Sequence, residues 1–219
     1  MFSSLNATGY NGNSIFFHAE FERVISHIIA GYNQMLTDNV SLANNENKIR
    51  DVLIYSYLKK PAFKKTHCIN DYLFDKELEE NTGRIDIRVM PVNPFISDEA
   101  YYILECKRIN SKNTSGKTGL NGEYIAQGIC RFVSQKYSCY HQTNGMIGFV
   151  VEKLKIDDNV TALNTLLDSQ FPEAKTVKNI SNRSIITTFK HSYYSTHTVA
   201  GSELPLYHLM LDVSDCIKN

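Results

Sequence analysis

The sequence predicts an α/β protein in which helices flank a mixed central β-sheet. Three observations carry this expectation: an apolar stripe at steps of three and four near the N-terminus, a change to period two between residues 66 and 110, and an alternation of helical and strand-like segments after that. With 219 residues, 42% hydrophobic and 21% charged, the chain can bury one substantial core, and no internal repeat or long linker divides it. A single domain over residues 1–219 is expected.

The elements follow in order. Between residues 15 and 36, Phe17, Phe21, Val24, Ile25, Ile28, Ile29 and Tyr32 fall on one stripe, which is the signature of a helix with one buried face. The polar run TDNVSLANNEN ends it, and Asn44 or Asn45 can cap a second helix that burties Ile49, Val52, Leu53 and Tyr57 and stops at Pro61 near residue 60. Ile85, Ile87 and Val89 then alternate with Arg84, Asp86 and Arg88, as in a half-buried strand. The proline-bearing segment MPVNPFISDEA reads as a connection into a second strand, YYILECKRI, the expected antiparallel neighbour of the first. SKNTSGKTGLNGE has the composition of a loop, and EYIAQGICRFVSQKYS that of a helix. GMIGFVV is a strand, DDNVTALNTLLDSQF a helix, and SIITTF and LPLYHLMLDVS close the chain as C-terminal strands over residues 184–214.

Composition narrows the possible functions. No run approaches the roughly 18 apolar residues of a membrane helix, and the start MFSSLNATGYNGNS resembles no secretory leader, so a cytoplasmic location is expected. Cys68, Cys106, Cys130, Cys139 and Cys216 are odd in number, scattered and without a C-x-x-C pair; reduced core cysteines are expected. With 23 basic and 23 acidic residues the molecule has no long-range attraction for nucleic acid. Any such surface must be local. KKPAFKK, with Lys64 and Lys65, and KRINSKNTSGK, with Lys112 and Lys117, are candidate patches, and each is equally a solvated loop.

The chemistry concentrates on two strands. Period two places Ile103, Glu105 and Lys107 on one face of YYILECKRI and Tyr102, Leu104 and Cys106 on the other. Buried charges are costly unless paired or metal-bound, so a carboxylate and an ammonium side by side on an apolar strand call for either catalysis or an ion pair. Asp86 interrupts GRIDIRV in the same way and can lie opposite Glu105 if the strands pair. Two close carboxylates repel, and a divalent cation relieves the repulsion by taking both as oxygen ligands, Mg²⁺ being the natural candidate and Mn²⁺ its substitute. The Cys106 backbone carbonyl can serve as a further ligand, with its thiol facing the core. Lys107 would orient water or neutralise a developing oxyanion.

An Asp on one strand followed by E-x-K on the next resembles the signature of the PD-(D/E)XK nuclease superfamily, which includes restriction endonucleases and repair nucleases. The resemblance implies a restriction-endonuclease-like three-layer sandwich whose core of helix, three antiparallel strands, helix and strand spans about residues 42–151. The helix at 15–36 and the C-terminal strands are then additions. It also implies a metal-reaching Glu on the first core helix, matched by Glu46, and an assisting Gln or Lys on the helix after E-x-K, matched by Gln127, which has Glu123 and Arg131 one turn away. Arg131 joins the lysine patches as a candidate nucleic-acid contact. The proline expected before the Asp is Ile85 here, which shortens the motif. The run from Tyr124 to Tyr137, followed by GMIGFV, resembles restriction-like proteins of bacterial phage-defence loci.

Blander readings stand beside these. Glu46 suits a first helical turn for its macrodipole alone, Gln127 and Arg131 can be an exposed i,i+4 pair, and Tyr124 and Tyr137 can be rim packing. Gly116–Lys117–Thr118 ends like a P-loop, but Ser111 stands where that motif needs Gly. His191, His197, His208 and Cys216 lack zinc-site spacing and are expected as polar surface or substrate contacts. The resulting expectation is a Mg²⁺-dependent nuclease, acting on DNA rather than RNA. With no net charge to hold its substrate, it is expected to work as a homo-oligomer or as a subunit beside an ATPase or sensor. The rival is a non-catalytic nucleic-acid-binding or assembly module on the same fold; a small-molecule hydrolase has no G-x-S-x-G to support it. Alanine at Asp86, Glu105 or Lys107 is expected to abolish cleavage and leave the fold intact.

Overall fold

A computed structural model describes residues 12–80, 83–92, 101–137 and 143–218. Helix α1 (Gly12–Thr37) buries Phe21, Val24, Ile25, Ile28, Ile29 and Tyr32, the predicted stripe. Asn45 caps α2 (Glu46–Asp51) by accepting from the Lys48 N–H, and the helix continues as a π-helical stretch, Val52–Leu58, that buries Leu53, Ile54, Tyr57 and Leu58. Pro61 ends that helix and opens a short one, α3 (Pro61–Thr66), where its missing N–H costs nothing.

Seven strands form one mixed sheet: β1 (Tyr72–Glu80), β2 (Gly83–Pro91), β3 (Tyr102–Ile109), β4 (Asn144–Val150), β5 (Thr176–Asn182), β6 (Ser192–Val199) and β7 (Ser202–Asp212), in the order β1-β2-β3-β4-β7-β6-β5. β3, β4 and β7 run parallel at the centre, and antiparallel ladders lie on both sides. Between β3 and β4 the chain crosses over through α4 (Leu120–Tyr124), a π-helical turn (Ile125–Ile129) and α5 (Cys130–Val133). Helix α6 (Ile156–Gln170) and a 3₁₀ turn (Pro172–Ala174) lead into β5.

The central strands are apolar on both sides, as parallel strands covered by helices must be. Leu104, Cys106, Ile147, Phe149, Leu209 and Leu211 face one core, built with α1 and the α2 helix; Ile103, Met146, Val150 and Met210 face a second, built with α4, α5 and α6. The molecule is therefore an α/β protein with a seven-stranded mixed sheet between helical layers. Among the described residues no helix is long and apolar enough to cross a membrane.

Three expectations need correction. SIITTF is not a strand: residues 185–188 turn, with Ile185 and Ile186 half-buried and Phe189 buried against the first core. The strand lies earlier, at β5, an edge whose only buried side chain is Ile180, so apolar alternation cannot reveal it. The C-terminal strands thus begin at residue 176 and include β6, whose SYYSTHTV buries polar groups. Cys68 is exposed and Cys130 only half-buried, so just Cys106 and Cys216 are core cysteines; Cys139 and most of MPVNPFISDEA lie outside the described residues.

His197 and His208, expected at the surface, are fully buried. They join one directional chain: Tyr124 Oη to His208 Nδ1, His208 Nε2 to Ser195 Oγ, Ser195 Oγ to His197 Nε2, and His197 Nδ1 to the Ala174 carbonyl, each at 2.8 Å. Because Ala174 O can only accept, His197 carries its proton on Nδ1. Ser195 then donates to His197 and accepts from His208, which leaves His208 Nδ1 to accept from Tyr124. Every member is satisfied only while both rings are neutral.

Candidate active site

The site begins where two strands separate. β2 and β3 pair from Ile87–Leu104 to Val89–Tyr102, and the next facing positions are Asp86 and Glu105, where the ladder stops. Two donors on the parted edge of β3 would be orphaned there, at Cys106 and Arg108. Carboxylates take both: Asp86 Oδ2 accepts from the Cys106 N–H at 2.9 Å, and Glu46 Oε2, from the first turn of α2, accepts from the Arg108 N–H at 3.1 Å. Local backbone chemistry thus draws two acids to the same edge as Glu105.

Lys107 stands among them. Its Nζ lies 2.7 Å from Glu105 Oε1, 2.7 Å from the Cys106 carbonyl, 3.4 Å from Glu46 Oε1 and 3.7 Å from Asp86 Oδ2. Glu105 is completely buried and Asp86 and Lys107 nearly so. The Cys106 thiol faces the first core, as the period of β3 predicts.

Three further side chains close the site. Arg50, one turn beyond Glu46 and fully buried, donates to Asp86 Oδ1 at 2.8 Å and also pairs with Asp51. Arg131 Nη1 lies 3.0 Å from Glu105 Oε1, and Tyr137 donates to Glu105 Oε2 at 2.8 Å. Gly128 on the helix bearing Arg131 packs against the end of the Met146 side chain on the sheet. Arg131 is therefore a site residue, and Tyr137 is not rim packing. Gln127 is exposed and bonds Arg131 Nη2 at 3.1 Å, so it reaches Glu105 only through Arg131.

Among the described residues none of Lys64, Lys65, Lys112 and Lys117 is bonded to an acid of this cluster. Lys112 is paired with Glu152 at 3.0 Å, and Lys117 lies over the Phe171 ring at 4.9 Å. Lys64 and Lys65 belong to α3, beyond the far end of the helix that starts at Glu46 and about 18 Å along its axis at ~1.5 Å per residue. Arg50 was legible in hindsight as a charge inside an apolar helical stripe; nothing local in the sequence marks Tyr137.

Burial, the repulsion from Asp86 and the loss of water push the Glu105 carboxyl up to about 7 against the pull of Lys107 and Arg131. Burial also raises the Glu46 carboxyl. For Lys107 burial acts downward, but Glu105, Asp86 and Glu46 outweigh it and hold the ammonium above its ordinary range. Three acids and a carbonyl thus surround one cation of the protein's own. Among the described residues no three Asp, Glu, His or Cys side chains converge as a ready metal cage. The donors are nonetheless all oxygens, the set a hard divalent ion takes, and the place such an ion would fill is the one the Lys107 ammonium holds.

Asp86 has a structural duty as well. Asp86→Ala removes one of the two carboxylates that hold a buried guanidinium, and a loss of roughly 3 kcal/mol of stability is expected. Urea unfolding of Asp86→Ala beside Arg50→Met/Asp86→Ala checks this: the double variant should recover much of the loss.

The fold and site define an α/β protein with a buried acid–lysine cluster at a strand split. Comparisons with protein-family models, curated proteins and solved structures find no match.

Proposed function

We propose that this chain is a metal-dependent nuclease of the PD-(D/E)XK type, acting on DNA rather than RNA. The observation that carries the reading is the Lys107 ammonium held by oxygens of Glu105, Cys106, Glu46 and Asp86, the donor set of a hard cation. The order of elements supports it too: α2, the antiparallel β1, β2 and β3, the α4–α5 helix, then β4 parallel to β3 follow the sequence of parts that superfamily's core requires.

Asp86, Glu105 and the Cys106 carbonyl would hold Mg²⁺, with Glu46 beside them, directly or through water. When bound, the ion supplies Lewis acidity to the phosphate and a more acidic water. Lys107, displaced from the acids, keeps its charge next to the reacting group on a flexible four-carbon stem and can hold the attacking water or a phosphate oxygen. Arg131 balances the charge of Glu105, and Tyr137 fixes the carboxylate's orientation. The neutral net charge fits a chain that works as a homo-oligomer or as a subunit of a larger complex, such as one with an ATPase or sensor in phage defence.

One observation favours the second reading, a non-catalytic module: both oxygens of Asp86 and both of Glu105 already have protein partners. Incubation of supercoiled plasmid with the protein in Mg²⁺, Mn²⁺ or EDTA separates the two. Nicked or linear product with either ion and none in EDTA is expected; retarded but uncut DNA under all three conditions overturns the catalytic reading.

A further inference from the structure

Arg131 also lines a groove of about 380 Å³ between the α4–α5 helix and the 3₁₀ turn Pro172–Ala174, with Ala126, Cys130 and Val133 on its floor and Lys136, Glu173 and Lys175 at its rim. With Arg131 paired to Glu105, two lysines oppose one carboxylate there, in a molecule whose total charge is zero. Lys136 and Lys175 are exposed and have no ion-pair partner among the described residues, whereas Lys112 and Lys153 are paired with Glu152 and Asp215. Arg131 itself is held by Glu105, Tyr137 and Gln127, which fixes the wall that the groove shares with the acid cluster.

The groove is also held open by design of the core. Lys175 is fixed in the left-handed region at φ 46° and ψ 45°, a conformation that costs a non-glycine residue about 1 kcal/mol. The Lys175 carbonyl accepts from the Thr198 N–H, and the neighbouring Ala174 carbonyl accepts from His197. That histidine ends the buried chain whose other end is Tyr124, on the helix forming the opposite wall. One continuous set of hydrogen bonds therefore ties the two walls at a set spacing.

We infer that this groove binds the phosphate backbone of one nucleic-acid strand next to the phosphate held at Glu105, with Lys136 and Lys175 neutralising its charges and Arg131 spanning groove and site. The inference rests on the nuclease reading for its substrate class, and it adds where the strand runs. The apolar floor of Ala126, Cys130 and Val133 suits the sugar edge of the strand.

The test is fluorescence anisotropy of a labelled single-stranded 12-nucleotide DNA in EDTA, which measures binding without cleavage, over a series of salt concentrations. Lys136→Glu/Lys175→Glu is expected to bind at least tenfold more weakly, and Lys136→Ala/Lys175→Ala to flatten the salt dependence by roughly 1.4 at ~0.7 per phosphate contact. Lys155→Glu, on an exposed lysine away from the groove, should bind as the wild type does. Unchanged affinity and slope in both groove variants, with unaltered thermal midpoints, overturn the groove even if the plasmid is cut. Groove-dependent binding by a wild type that never cuts overturns the catalytic reading and leaves the groove standing. Absence of binding by the wild type at low salt overturns the groove and leaves the catalytic reading to the plasmid assay.

Discussion

Lys107→Met and Glu105→Gln are each expected to lower metal-dependent cleavage by about a thousandfold or more, roughly 4 kcal/mol of transition-state stabilisation at 1.36 kcal/mol per factor of ten. Lys107→Met removes the one ammonium that touches the acid cluster among the described residues, while Arg131 and Tyr137 still hold Glu105. Glu105→Gln keeps a hydrogen-bonding side chain of the same shape and removes the charge that a metal ion needs. Stability should respond differently. The combined Glu105→Gln/Lys107→Met variant removes one buried charge of each sign from a network, so its urea midpoint should fall by less than the two single losses added together. Turnover of plasmid in Mg²⁺ measured beside urea unfolding checks both statements. Wild-type cleavage by either single variant removes that residue from the mechanism.

The two buried histidines should make this protein lose stability in acid, against a smaller opposing gain from Glu105, whose raised carboxyl takes up its proton in the folded state as pH falls below 7. Burial lowers His197 from an ordinary value of 6.5 to about 4 and His208 to about 3, because neither imidazolium can be solvated and the hydrogen-bond chain has no place for a second ring proton. Both rings stay neutral in the folded state while the unfolded chain takes up protons below pH 6.5. The stability is therefore complete above that pH and is lost as pH falls from 6.5 toward 4. At 1.36 kcal/mol per pH unit for each ring, the two together cost about 4 kcal/mol between pH 7 and pH 5. Urea midpoints at the two pH values measure it. His197→Gln/His208→Gln should be less stable at neutral pH and show a much smaller fall on acidification; an equal fall assigns the acid sensitivity to other groups.

The contrast between Asp86 and Lys107 corrects the simple expectation that alanine at any of the three motif positions leaves the fold intact. Arg50 is buried against Asp86 and Glu105 holds both Lys107 and Arg131, so only at Lys107 can the charge be removed without taking a carboxylate from a buried cation.

Much of the site was legible in the linear pattern. Period two in YYILECKRI placed Glu105 and Lys107 on one face and Cys106 on the other, and the antiparallel register brings Asp86 opposite Glu105. Asn45 and Glu46 could be read as the start of a helix, and the apolar stripe of α1 as its buried face. The polar strands β1, β5 and β6 were not readable, because strands at or near a sheet edge, or strands that bury polar groups, do not alternate apolar and polar residues.

The sequence by itself determined which side chains each strand and helix turns inward, since that follows from the local geometry of 2.0 or 3.6 residues per repeat. Tertiary structure alone decided which charges meet: Arg50 on Asp86, Arg131 and Tyr137 on Glu105, and Lys107 at the centre of all the acids. Periodicity reports the face a residue occupies on its own element, whereas an ion pair depends on which other element packs against that face, and here the partners come from helices far away along the chain.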